Sequence, residues 1–155
     1  MADHSNESIH RALRQAGLRV TSPRVTVLAR LRERPHATAD ELLDWVAEQP
    51  GAISRQGMYD VLGSLVEAGL ARRIEPAGHA SRYEGRVGDN HHHVVCRSCG
   101  SVADVDCAVG VMPCLAPSSS SGFTVEEAEI TFWGRCLACR AGAEAASHTN
   151  ERKSP

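Results

Sequence analysis

The sequence predicts an α+β fold in two parts, helices first and short strands after, and three observations carry that reading. Residues 8–68 hold four amphipathic segments that open on Ser or Thr and close on Gly or Pro. From residue 70 the text changes to short strand-like runs broken by glycine turns. Two C-x-x-C pairs, Cys96–Cys99 and Cys136–Cys139, then stand 36 residues apart in the second part. Aromatic residues make up only 4% of the 155-residue chain, so each part must build its core from Leu, Val, Ile and Ala. Small cores of that kind are marginal alone, which makes a staple or a partner subunit physically useful.

Each element has its own signal. The first residues are polar and expected to fray. A helix fits 8–16, with Ile9, Leu13 and Ala16 on one side and Gly17 beyond its end. Ser22-Pro23 reads as an N-cap followed by Pro at the first helical position, with Val25, Leu28, Ala29 and Leu31 on the apolar side and Pro35 as the stop. Thr38-Ala39-Asp40-Glu41 is a capping box ahead of Leu42, Leu43, Trp45 and Val46, and Pro50-Gly51 ends that third helix. Ser54 caps a fourth helix over 55–68, which turns Met58, Val61, Leu62, Leu65 and Val66 inward and Arg55, Gln56, Tyr59 and Ser64 outward. The short link between the third and fourth helices is helix-turn-helix spacing, in which the second helix enters the major groove. Residues 70–75 and 81–84 flank a Pro76-Ala77-Gly78-His79 turn, a basic hairpin of wing type on which Arg72, Arg73 and Arg82 are expected phosphate contacts.

Residues 1–84 therefore read as a winged helix domain for double-stranded DNA, and the polar run 85–90 as a hinge. The whole chain carries a formal charge of −2, but residues 1–35 carry seven Arg against Asp3, Glu7 and Glu33, a local net of +4. An interaction module with solvated charges is the bland alternative. No phosphate loop or dinucleotide fingerprint is present, and Ser22, Ser54 and Ser64 have no base at a diagnostic spacing, so an enzyme is not expected.

Residues 91–140 read as a small α/β dimerisation domain and 141–155 as a polar tail. Strands are expected at 93–96, 101–105 and 123–133, with a short helix near 107–115. A small sheet with one apolar face needs a cover, which a second copy of the chain would supply as a homodimer. Two C-x-x-C pairs beside strands point to one structural Zn(2+) held by Cys96, Cys99, Cys136 and Cys139; two disulfides or redox pairs are the alternatives. Arg97, Arg135 and Arg140 would offset the thiolate charge. Cys107 and Cys114 fit no knuckle spacing and are left as a buried pair or reactive thiols, with a reversible disulfide as the further alternative. No signal peptide and no apolar run of about 18 residues is visible, so a cytoplasmic protein with reduced thiols and no membrane partner is expected.

His91 and His93 alternate along a strand and so share a face, while His92 takes the other. Glu84 ends the wing, His36 begins the third helix, and Asp104 lies on the strand after the first knuckle. Together they would make a regulatory site for Fe(II), Mn(II), Zn(II), Ni(II) or Co(II), with imidazole and carboxylate tilting toward the harder ions. A plain polar surface is the alternative.

These residues resemble the ferric uptake regulator family. The match runs through Gly17-Leu18-Arg19-Val20-Thr21 with Pro23-Arg24, His36 with Asp40-Glu41-Leu42, Tyr59 with Val61-Leu62, and Arg82-Tyr83-Glu84. It continues through His91-His92-His93, Cys96-Arg97-Ser98-Cys99-Gly100 and Gly134-Arg135-Cys136-Leu137-Ala138-Cys139, covering residues 8–140. Residues 55–60 and 87–91 are similar to the actinobacterial iron- and peroxide-responsive branch, linked to catalase-type genes. The resemblance implies a homodimeric repressor that binds operator DNA when loaded with Fe(2+), with Mn(2+) as a possible substitute. It implies regulatory ligands His36, Glu84, His91, His93 and Asp104, a base contact at Tyr59 and a phosphate contact at Arg24; Arg19 falls in the same matched stretch and joins the DNA-binding set. A zinc-, nickel- or manganese-responsive regulator stays open, and a metalloenzyme is the remote alternative. The third metal site of many members is not carried over, since Asn90, Val111 and Ala128 accompany His92 there. Gly57 and Asp60 also depart from the usual recognition helix, and Glu84 stands where one branch of peroxide sensors has Asp.

Overall fold

The computed structural model describes residues 5–48, 52–85, 87, 91–106, 121–124 and 130–142. The chain divides into two compact units, Met1–Asp89 and Asn90–Pro155. In the first, α1 (Asn6–Gln15), α2 (Ser22–Glu33), α3 (Ala39–Ala47) and α4 (Arg55–Glu67) pack with a sheet of β1 (Ala37–Thr38), β2 (Arg72–Ile74) and β3 (Arg82–Glu84). In the second, β4 (His91–Cys96), β5 (Val102–Asp106) and β6 (Thr131–Gly134) form a sheet.

The helix ends follow local chemistry. The Ser5 side chain accepts from the Ser8 amide, so α1 begins two residues earlier than the apolar pattern indicated. After α1 and α4 the chain passes through Gly17 (φ 74°) and Gly69 (φ 68°). At each the glycine amide and the next amide turn back onto the last helical turn, Leu18 to Leu13 at 2.8 Å and Leu70 to Leu65 at 2.9 Å. Left-handed backbone of that kind is what glycine supplies. Ser22 is itself helical and Thr21 takes the cap position, a one-residue correction with Pro23 still in the first turn. The capping box stands as expected: Glu41 N donates to Thr38 Oγ1 at 3.1 Å and Thr38 N to Glu41 Oε2 at 2.7 Å. Ile9, Leu13, Val27, Leu28, Leu31, Met58, Leu62 and Leu65 are fully buried in one core.

Two arrangements were not legible beforehand. The wing gains a third strand, β1, which pairs antiparallel with β3 in the register Ala37↔Tyr83 and Thr38↔Arg82. His36 therefore precedes a strand and does not begin α3. In the second unit β4 is central, antiparallel to β5 and parallel to β6. Of the strand expected over 123–133, residues 131–134 are strand, 123, 124 and 130 are not, and 125–129 lie outside the described residues. The second cysteine pair sits on a strand-to-helix turn: residues 137–142 are helical, and Arg140 N donates to Cys136 O at 3.0 Å. Outside the described residues also lie the expected helix near 107–115, Cys107, Cys114, Asn90, Val111, Ala128, the Pro50-Gly51 stop, positions 86 and 88–90 of the hinge, and residues 143–155. Among the described residues no helix is long and apolar enough to cross a membrane.

Replacing Thr38 with Ala removes the hydroxyl that caps α3. The expected loss is about 0.5–2 kcal/mol, read as a lower urea midpoint at unchanged slope; an unchanged midpoint would show that the cap is dispensable.

Candidate metal centres and nucleic-acid interface

The two cysteine pairs converge. The four Sγ atoms of Cys96, Cys99, Cys136 and Cys139 lie within 4.8 Å of one another, and none is in a disulfide. Cys99 Sγ and Cys136 Sγ are 3.8 Å apart. Sulfurs held about 2.3 Å from a tetrahedral zinc are separated by roughly 3.8 Å, so the spacing fits that ion. Pairing of β4 with β6 brings the two halves together, since Cys96 stands beside Gly134 in register. Gly100 (φ 68°) closes the first turn, with its amide on Cys96 O at 2.9 Å and Cys96 N on Ser101 O at 2.8 Å.

The surroundings favour thiolate at Cys96 and Cys99. Cys136 N donates to Cys96 Sγ at 3.4 Å. That bond, with the backbone bond from Cys99, lowers the Cys96 pKa to about 5. The Ser101 side chain, 3.3 Å from Cys99 Sγ, lowers Cys99. Cys139, hydrogen-bonded to Cys136 and Cys99, is pushed up to about 12. Four crowded sulfurs cannot all shed their protons without a cation to balance them. The donor set is thus suited to a divalent soft metal, and it leaves no side-chain position for a substrate. Arg97 lies with its guanidinium 5.1 Å from the centre of the Trp133 ring. Ser101 is a contributor that the motif reading missed; its place directly after Cys99-Gly100 was the available signal.

The histidine and carboxylate candidates fall into two sets, one in each unit. In the first, His36 Nε2 lies 3.2 Å from Glu84 Oε2, and both side chains are buried. Pairing of β1 with β3 makes this contact between residues 48 apart in sequence. His36 has φ 65°, a left-handed backbone uncommon outside glycine. Its carbonyl accepts from Arg82 Nη1 at 2.8 Å, and Arg82 also reaches Glu41 Oε2 at 3.4 Å. Arg82 thus braces the backbone that presents His36. Glu84 is held from behind: Gly85 N donates to Leu31 O at 3.4 Å, and a Cβ at Gly85 would lie 2.9 Å from Arg32 Cγ and 3.2 Å from its amide nitrogen.

In the second unit, strand alternation buries His91 and His93 and turns His92 toward Phe132, 6.3 Å between ring centres. The His91 and His93 rings meet edge to face at 4.9 Å. Asp104 stands directly across from His93 on β5, its Oδ1 3.8 Å from His93 Nε2 and 3.9 Å from His91 Nε2. These separations exceed a hydrogen bond but suit a shared ion, because two N or O donors each about 2.1 Å from one metal are at most roughly 4.2 Å apart. Each set taken alone offers too few ligands to saturate a transition metal.

The outward face of α4 presents Arg55, Gln56, Tyr59 and Asp60, all exposed, with Tyr59 retaining 46% of its surface. Met58 and Leu62 are fully buried on the opposite face. A cleft of about 310 Å³ runs between Tyr59, the start of α3 and the wing residues Arg73, Ser81 and Tyr83. Arg55 pairs with Asp40, and Gln56 Nε2 donates to Asp60 Oδ1 at 2.8 Å. Arg73 pairs with Glu75 at 2.6 Å and donates to Ser81 at 3.3 Å. Arg72 begins β2, half-buried. Arg24 ties elements together, donating to Arg19 O at 3.0 Å and to Ser64 Oγ on α4 at 3.3 Å. Arg19 is exposed just ahead of α2.

A winged helix-turn-helix unit followed by a sheet unit with clustered metal donors defines a metal-responsive DNA-binding regulator. The chain belongs to the ferric uptake regulator family, whose profile matches residues 15–132. It is 52% identical over 136 residues to Transcriptional regulator FurA of Mycobacterium tuberculosis, covering 88% of this chain and 92% of that protein. It is 53% identical over 128 residues to Ferric uptake regulation protein 1 of Mycolicibacterium fortuitum, covering 83% and 80%. The crystal structure of the Vibrio cholerae ferric uptake regulator superposes with a TM-score of 0.61 at 25% identity, covering 82% of this chain and 98% of that one. The chain is accordingly a transcriptional regulator and not an enzyme.

Gly85→Ala tests the support behind Glu84. Overpacking against α2 should cost about 1–3 kcal/mol of stability and displace the carboxylate. A variant with wild-type urea stability and wild-type affinity for divalent metal would show that the close approach has no role.

Proposed function

We propose that this protein is an Fe(II)-responsive repressor, acting as a homodimer on operator DNA upstream of iron-uptake or peroxide-defence genes. The observation that carries the reading is the pair of buried histidine–carboxylate sets, His36 with Glu84 and His91 with His93 and Asp104. In this reading these histidines and carboxylates are the ligands of the regulatory cation, and its binding is coupled to that of operator DNA. A bound Fe(II) supplies positive charge and a fixed coordination geometry. The protein residues do the rest. His36, His91 and His93 offer ring nitrogens, Glu84 and Asp104 offer carboxylate oxygens, and Arg82 bonds the carbonyl of the left-handed His36. Imidazole with carboxylate favours Fe(II) or Mn(II) over softer ions, and the identity to Ferric uptake regulation protein 1 weighs in the same direction. Arg19, Arg24, Arg72, Arg73 and Arg82 are the proposed phosphate contacts, and Arg55, Gln56 and Tyr59 the proposed base readers, since the N-terminal residues of a recognition helix meet base edges.

The four-cysteine cluster is proposed to hold one structural Zn(II) per chain. The exposed side chains on and after β6, Phe132, Trp133 and Leu137, are proposed to meet a second copy of the chain. Cys96→Ser and Cys136→Ser should each abolish stoichiometric zinc, measured by metal analysis, and lower the dimer fraction in sedimentation. Full zinc in both variants would remove the assignment.

Metal and operator must be linked reciprocally: whatever factor iron adds to operator affinity, the operator adds to iron affinity. Anaerobic titrations of Fe(II), Mn(II), Zn(II) and Ni(II), with and without operator duplex, measure both. Equal factors, largest for Fe(II), are expected. A larger factor for zinc or nickel would reassign the regulatory metal, and a factor of one for all four would reject metal control of DNA binding.

A further inference from the structure

Two carboxylates stand on the surface proposed to face DNA, where charge alone opposes binding. Asp40 and Asp60 are exposed beside the N-terminal turns of α4, and both would face a polyanion. Asp40 lies in the first turn of α3, where the helix dipole favours an acid, but that accounts neither for its pairing with Arg55 nor for Asp60 in mid-helix. Stability does not explain the pairing. Arg55 and Asp40 keep 65% and 66% of their side-chain surface, and ion pairs so exposed contribute little to folding.

What each carboxylate does is fix the direction of a neighbouring reader. An ionised carboxylate only accepts hydrogen bonds. Asp60 Oδ1 therefore takes the Nε2 side of the Gln56 amide and settles which way that amide is turned. One N–H of Gln56 is used, while Oε1 and the second N–H stay available. That acceptor–donor pair matches adenine N6 and N7 in the major groove. Asp40 in the same way occupies Nη1 of Arg55, whose guanidinium also meets Tyr59, and the remaining N–H groups of the fork match guanine O6 and N7. Arg55 and Gln56 are the first two residues of α4.

We propose that Asp40 and Asp60 are positioning residues for sequence readout, Asp40 holding Arg55 for a guanine and Asp60 orienting Gln56 for an adenine. This rests on the reading of α4 as the recognition helix. The carboxylates cost affinity for DNA in general and return selectivity: each lowers binding to any phosphate backbone and raises the difference between right and wrong bases.

The test uses the metal-loaded full-length protein and a set of operator duplexes in which every base pair is changed singly, at two salt concentrations. A good bidentate contact discriminates by roughly 5- to 150-fold. Asp60→Asn, which can donate as well as accept, should bring the preference at one adenine toward parity. Asp40→Ala should do so at one guanine, and Asp40→Glu should recover part of it. Both losses should come with equal or tighter binding to non-operator DNA and unchanged metal content. If instead Asp40→Ala and Asp60→Asn tighten all duplexes alike and leave the preference pattern intact, the carboxylates are simple repulsion and the proposal falls. Arg55→Ala, Gln56→Ala and Tyr59→Ala separate the two levels. If they alter preferences while the Asp variants do not, only the positioning role is lost. If none of the three alters any preference, α4 is not the reader and both fall.

Discussion

The short pairing of β1 with β3 organises the first unit. It joins Ala37 and Thr38 to Arg82 and Tyr83 across some of the longest sequence separations in that unit. Three consecutive residues of β3 then act in three directions. Arg82 reaches the His36 carbonyl, Tyr83 enters the hydrophobic core, and Glu84 is buried against the His36 ring. Thr38, one end of the same pairing, also caps α3. A displacement of β3 would therefore be felt at a candidate metal ligand, at the core and at the start of the helix-turn-helix together. The left-handed backbone of His36 is tolerable because both its neighbours in space hold it there.

The second unit solves a different problem. Its described strands are short, and its β5–β4–β6 sheet has Phe132 and Trp133 substantially exposed. Such a sheet needs reinforcement beyond its own burial. The cysteine cluster brings the end of β4 and the turn after β6 together, where a bound metal would cross-link them, with the Cys136 amide directed at Cys96 Sγ and the Ser101 hydroxyl beside Cys99 Sγ. The opposing shifts of Cys96 and Cys139 describe the same fact from the electrostatic side: the sulfurs are close enough to compete for protons, which is the arrangement a divalent cation relieves.

On the face proposed to meet DNA, several of the arginines proposed as contacts are engaged already. Arg24 binds a carbonyl and a serine, Arg73 a glutamate and Arg55 an aspartate. Charge counted along the chain overstates the free positive surface, because long cationic side chains are drawn to the nearest acceptor. Their engagement also gives them direction, and direction is what distinguishes a groove reader from a general phosphate binder.

Much of this was determined by the sequence alone. The helix order, the capping box at Thr38, the glycine exits at Gly17 and Gly69, the inward face of α4 and the grouping of four cysteines all rest on contacts within a few residues or on a spacing with one sensible chemistry. The shared burial of His91 and His93 follows from strand alternation in the same way. Other features required the tertiary structure. The β1 strand, two residues long, has no periodicity to detect. The left-handed His36, the bracing role of Arg82, the close approach of Gly85 to α2 and the parallel pairing of β6 with β4 depend on segments remote in sequence. A hydrogen bond between residues 40 or more apart leaves no local mark, since either partner is an ordinary residue in its own neighbourhood. Only the folded chain decides which Arg meets which acceptor, and so which charges remain for a ligand.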